Sequence, residues 1–193
     1  LGSIHEEVLG DRAAAMAAYE KAVAEDDADA LAYEALDRLY TREKRVPELV
    51  TLLGRRIELA DSSEDRVNLG LRLGTLLDVS MRRLSDAIDT YRRVLDEDPT
   101  HVQALAALAS LLEREGRFRE LLDILAQQRS VAAIDAQRVA FSYRAGDILE
   151  KRLDEPEEAL ERYAEALSTD KAHAPSIDAL MRLDIDAVGS LGP

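Results

Sequence analysis

Residues 73–99 read LGTLLDVSMRRLSDAIDTYRRVLDEDP, and the same pattern stands at positions 1–27 and again at 145–171. Leu1-Gly2, Leu73-Gly74 and Ala145-Gly146 keep one constant spacing, as do Tyr19, Tyr91 and Tyr163, then Asp26, Asp98 and Asp170. Leu36, Leu108 and Leu180 follow it, and so do Leu39, Leu111 and Leu183, with no gap anywhere. A chain that repeats itself over tens of residues builds a solenoid, in which each unit buries its apolar face against its neighbours. That origin favours a binding scaffold over an enzyme.

Within the stretch, Ala87, Ile88, Tyr91, Val94 and Leu95 fall on one face of a 3.6-residue period, and charged residues fill the other. Breakers stand between such runs. Asp98-Pro99-Thr100 ends one helix and begins the next with Thr100 as N-cap, and Glu115-Gly116-Arg117 supplies a left-handed turn residue. Pro47, Pro156 and Pro175 sit at first helical turns. No segment alternates with period two, so no strand is expected. The pattern predicts an all-α, right-handed α-solenoid over 1–184. Its helix pairs are 1–26, 29–60, 64–97, 101–130 and 135–169, followed by a single helix at 173–184 and an irregular tail at 185–193.

Composition narrows the function. Of 193 residues 47% are hydrophobic and only 4% aromatic, with no Trp, so alanine and leucine make most of the core. Asp and Glu number 39 against 25 Lys and Arg, a formal charge of −14. That balance excludes a phosphate backbone as partner, which demands surplus cations. It serves solubility or draws a basic partner. There is no cysteine, hence no disulfide and no thiol chemistry. This agrees with a cytoplasmic protein and leaves the periplasm open. No apolar run approaches the roughly 20 residues of a membrane span. The chain starts at Leu1, so upstream processing or truncation could hide a leader.

The stretch resembles the tetratricopeptide repeat (TPR) family. Leu73-Gly74 matches that family's Leu-Gly pair on the first helix. Ala87, Tyr91 and Val94 match its small–aromatic–small series on the second helix, and Pro99 matches its closing proline. Leu108-Ala109, Leu112, Gly116, Leu121 and Leu125 continue the pattern. Ala145-Gly146, Ala159, Tyr163, Ala166 and Leu167 repeat it with Lys171 in place of the proline, while Ala15, Tyr19 and Ala22 carry it with Asp27 there. Three departures stand out: one extra residue before the second helix of the first-type pair, no aromatic residue at the family's early Trp position, and Leu121 where a small residue is usual. Independently of the resemblance, Gly2, Gly74 and Gly146 lack a Cβ and let a neighbouring helix come close. Tyr19, Tyr91 and Tyr163 read as core wedges between pairs rather than ligand-binding aromatics.

The resemblance implies a concave groove lined by first helices, where a peptide or partner helix docks. Carried over by position, the candidate groove residues are Arg38, Arg42, Asn68, Thr75, Asp78, Ser110, Arg114, Asp147 and Glu150. The family's Lys/Asn clamp for a terminal carboxylate is missing. The repeat register further aligns Glu6, Arg42, Asp78, Arg114 and Glu150 into a row of alternating charge. That row is either a polar track for a partner or a ladder of inter-helix ion pairs.

Catalytic and metal motifs are absent. His5-Glu6-Glu7 lacks a second histidine four residues on, and His101 and His173 are repeat equivalents. No cofactor and no metal site is expected. The reading is a non-catalytic protein-interaction scaffold. Its alternative is a structural or self-associating segment of a longer multidomain protein, suggested by an array that begins partway into one helix and stops after the first helix of a sixth pair.

Overall fold

The computed structural model describes residues 11–189, with side chains through residue 183. The helix expected at 1–9, and with it Gly2 and Glu6, lies outside the described residues. Two compact units divide the chain at Pro99–Thr100. No strand occurs among the described residues.

The first unit holds α1 (Arg12–Glu25), α2 (Ala30–Arg42), α3 (Val46–Leu59), α4 (Ser63–Thr75) with a π-turn at Leu76–Ser80, and α5 (Leu84–Glu97). The second holds α6 (Val102–Arg114), α7 (Phe118–Val131), α8 (Asp135–Ile148) with a π-turn at Leu149–Leu153, α9 (Pro156–Thr169) and α10 (Ala174–Gly189). Within each unit every helix packs on its neighbours in sequence. The last helix does not stop at 184 as the pattern suggested. Ile185-Asp186-Ala187-Val188 contains no breaker, so the helix runs on to Gly189.

Short polar residues start the helices. Asp11, Asp29 and Ser62 accept from the backbone N–H three residues on, each at 3.0 Å. His101 rather than Thr100 caps α6, through Nδ1 at 3.3 Å from the Ala104 N–H. The N-caps of α3, α5 and α7 are Arg45, Arg83 and Arg117, which make no side-chain cap bond. Each instead pairs with the acid three residues on: Glu48, Asp86 and Glu120.

The turns between paired helices share one device. Lys44, Arg82, Gly116 and Asp154 all lie at positive φ. At two of these turns the bonds form a Schellman motif: Lys44 N–H to the Thr41 carbonyl with Arg45 N–H to Tyr40, and Gly116 N–H to Glu113 with Arg117 N–H to Leu112. At the other two, an extra residue must be absorbed before the second helix. The first helix widens into a π-turn that takes it up, with Met81 N–H reaching the Leu76 carbonyl at 3.1 Å. Only Gly116 is free of the Cβ penalty of a left-handed backbone. Lys44→Gly is therefore expected to stabilise the chain by about 1 kcal/mol in chemical denaturation. Gly116→Ala should cost a similar amount.

Leucine, alanine and tyrosine fill both cores. In the first unit Leu36, Leu39, Leu53 and Ala15 are fully enclosed, with Tyr33 and Tyr40 beside them. In the second, Leu149, Ala159 and Tyr163 form one cluster with Leu183. In both units the close approach expected at the glycine is made by the tyrosine of the following helix. A Cβ on Gly74 would stand 2.7 Å from the Tyr91 ring, and one on Gly146 would stand 2.7 Å from the Tyr163 ring. The missing side chain is the space the ring occupies.

Candidate docking face

The first helices of successive pairs are α2 and α4 in one unit, and α6, α8 and α10 in the other. Arginine ties them together. Arg72 on α4 reaches back to α2, with 2.6 Å bonds to both carboxylate oxygens of Asp37 and a 2.9 Å bond to Thr41 Oγ1. Its equivalent in the next repeat, Arg144 on α8, donates to Glu113 on α6 at 2.8 Å. Thr41 and Glu113 are themselves repeat equivalents. Arg182 on α10 donates to both oxygens of Glu150 at 2.7 and 2.9 Å. Arg56 adds a second contact to Asp37 at 3.0 Å, which leaves that carboxylate only 14% exposed. These pairs hold adjacent first helices in register and leave their outward sides open.

Below each tie lies a hollow. In the first unit it is bounded by α2, the end of α3 and α4, and encloses about 510 Å³ around Tyr33, Glu34, Arg56, Asp61, Asp65 and Leu69. In the second, α6, the end of α7 and α8 enclose about 620 Å³ around Leu105, Ala106, Gln128, Gln137 and Phe141. The linings correspond position by position through the repeat register: Tyr33 with Leu105, Glu34 with Ala106, Arg56 with Gln128, Asp65 with Gln137, Leu69 with Phe141. The first hollow is acidic; the second is mostly apolar, with its one acid, Glu113, paired with Arg144. Each contains a buried polar atom with no hydrogen-bond partner, the Tyr33 hydroxyl and Gln128 Oε1. Among the described residues no cluster of His, Asp or Glu is placed to hold a metal ion. None of the described helices is long and apolar enough to cross a membrane.

Paired helices with nearest-neighbour packing and a repeating tie between first helices define a helical-repeat array. A family model described as the TT21 fifth ARM repeats domain matches residues 75–182, more than half of the chain. The chain belongs to this ARM-repeat family. Its fold is also that of solved TPR proteins. YrrB, described as a TPR protein with an unusual peptide-binding site, is 21% identical with a TM-score of 0.51, over 90% of this chain and 86% of that one. MamA is 18% identical with a TM-score of 0.51, over 88% of this chain and 94% of its own. The C-terminal part of a TPR repeat-containing protein from Cytophaga hutchinsonii is 15% identical with a TM-score of 0.51, over 89% and 64%. At these identities the likeness is one of fold. No curated protein matches the chain.

Within this ARM-repeat chain the groove residues expected by position fall into three groups. Arg38, Arg42, Asn68, Ser110 and Arg114 are exposed on α2, α4 and α6, and Ser110 lines the apolar hollow. Arg42 makes no ion pair among the described residues, so the tie between α2 and α4 runs through Arg72 and Asp37 instead. Thr75, which stays exposed, and Glu150, which is largely covered, each meet a tyrosine hydroxyl. Thr75 Oγ1 lies 3.2 Å from the Tyr91 hydroxyl, and the Tyr163 hydroxyl donates to Glu150 at 2.7 Å. Burial, and then the Glu150 carboxylate, push the Tyr163 phenol far above the ordinary tyrosine range, so it keeps its proton. Asp78 sits half-buried in the first π-turn, and Asp147 pairs with Lys151 one helical turn away.

Proposed function

We propose that the chain is a non-catalytic scaffold that docks a peptide or partner helix across the first-helix face of its units. TPR and ARM-repeat folds typically serve as protein-interaction scaffolds, which is the coarse form of this reading. The observation that carries the finer form is the pair of hollows, repeated at equivalent positions of the two units, each opening between successive first helices. A concavity of several hundred Å³ on the first-helix face of each unit suits a partner segment that offers side chains to it. The arginine ties support the same reading, because they brace the face from within and consume few of its outward groups.

The structural alternative, a self-associating segment of a longer protein, draws on the same face and differs in its occupant. A photo-activatable cross-linking residue placed at Ser110, and separately at Glu161 on the outer side of α9, distinguishes them. Scaffold function predicts a cross-linked heterologous partner from Ser110 and none from Glu161. Cross-links to a second copy of the chain, rising with its concentration, would replace the scaffold by the self-associating segment. Equal cross-linking from both positions would remove the first-helix face as the docking surface.

A further inference from the structure

We propose that the hollow of the first unit seats a basic side chain, lysine or arginine, supplied by a linear peptide partner; this rests on the first-helix face being the docking surface. The hollow carries four carboxylates, Asp27, Glu34, Asp61 and Asp65, against the single cation Arg56. Arg56 is turned away to Asp37 at 3.0 Å. Asp27 has its own partner in Arg55, and Asp65 accepts from Ser62 Oγ at 2.7 Å. The carboxylates of Glu34 and Asp61 make no hydrogen bond or ion pair among the described residues. The neighbouring cation Arg66 bonds Glu97 at 2.7 and 3.0 Å, the Ala60 carbonyl at 2.9 Å and the Asp61 carbonyl at 3.3 Å, and its charge also acts on the Asp61 carboxylate without an ion-pair contact.

A second observation points to a ligand rather than to a merely solvated acidic patch. Tyr33 lines the hollow, is 4% exposed, and its hydroxyl has no partner. Buried polar groups are nearly always hydrogen-bonded, so one left open beside a concavity marks a position for an incoming group. An ammonium or guanidinium N–H donates to that oxygen and to Glu34 and Asp61 together. Leu59, 43% exposed at the rim, and Leu69 offer apolar surface to the aliphatic stem of the same side chain.

The duplication shows that the fold does not require these acids. The second unit builds the equivalent hollow with Ala106 for Glu34, Ala133 for Asp61 and Gln137 for Asp65. The hollow recurs in both units, while the surplus of carboxylates belongs to the first alone, since the second has only Glu113, paired with Arg144. The chain's formal charge of −14 adds a long-range pull on a cationic segment.

The test uses four fluorescein-labelled octapeptide pools, acetylated and amidated at their ends and random except for a central Arg, Lys, Leu or Glu. Binding to the full chain is read by anisotropy at moderate and high salt. The Arg and Lys pools should bind and the Glu pool should not. Glu34→Gln with Asp61→Asn should weaken Arg-pool binding at least ten-fold, with unchanged melting and unchanged Leu-pool binding. Tyr33→Phe should weaken it about three-fold. Glu157→Gln with Glu161→Gln removes the same charge from α9 and should change binding less than two-fold. Loss of binding equal in both double variants would mean general attraction to a polyanion and would overturn the slot. Arg- and Lys-pool affinity no better than that of the Glu pool would also overturn it. If the Leu pool then still binds and is displaced by substitutions lining the second hollow, the docking face survives without the basic slot.

Discussion

Tyr163→Ala is expected to destabilise the chain by about 3–5 kcal/mol, the range for removing a buried aromatic from a core that cannot collapse around the gap. The ring is fully buried against Ala159, Leu149 and Gly146, which come from two different helices and the π-turn. Tyr143, whose ring centroid lies 5.5 Å away, and the leucines of the cluster are held by their own helices and fill the vacated space only in part. Tyr163→Phe separates the hydroxyl from the ring. It gives up one bond to the Glu150 carboxylate, and Arg182 still holds that carboxylate at 2.7 Å. The expected loss is therefore smaller, about 1–2 kcal/mol, near the low end for hydrogen bonds to charged groups. Urea unfolding of both variants checks the order. A loss from Tyr163→Ala no larger than that from Tyr163→Phe would mean that the ring does not join the two helices.

Gly146→Ala is the complementary change and is expected to cost about 2–3 kcal/mol, although alanine is the better helix former. The added methyl would lie 2.7 Å from the ring, well inside any real contact, and the ring has no room to retreat because it is itself enclosed. Gly54, in the middle of α3, supplies the contrast. A Cβ there meets nothing within 4 Å, so Gly54→Ala is expected to stabilise by about 0.5–1 kcal/mol. The Gly146→Ala, Tyr163→Ala double variant should lose at least about 1 kcal/mol less than the sum of the single losses. Additive losses would show that glycine and ring act independently, and the close contact between them would carry no energy.

The separate roles of glycine and tyrosine were legible in the sequence, since each recurs at the same interval, but that the ring fills the space over the glycine was not, because it depends on how two helices pack. Helix positions were legible for a similar reason, since apolar spacing and breakers are local. The extra residue before α5 and α9 was visible as a count, but its form was not. A π-turn and a longer loop have the same length, and only packing on the preceding helix decides between them.

The candidate docking face was harder to read. A position-by-position transfer places Thr75 and Glu150 in the groove, yet each sits beside a buried tyrosine whose hydroxyl needs a partner. For Glu150 that bond and the one from Arg182 leave little of the carboxylate to solvent, whereas Thr75 stays exposed. The ties through Arg72 and Arg144 obey the same repeat spacing and could have been found by it. In a chain that is 33% charged, an arginine pair does not stand out until its distance to Asp37 or Glu113 is known. The hollows were out of reach, since each takes its walls from three helices that local patterns treat separately.

The central claim, that partners dock on the first-helix face, is tested most directly by amide hydrogen exchange of the whole chain, free and bound to the partner recovered through Ser110. The account predicts that slowed exchange concentrates in α2, α4, α6 and α8, with α3, α5, α7 and α9 unchanged except where α3 and α7 end at the hollows. Protection confined to the second helices, with the first helices unchanged, would contradict it.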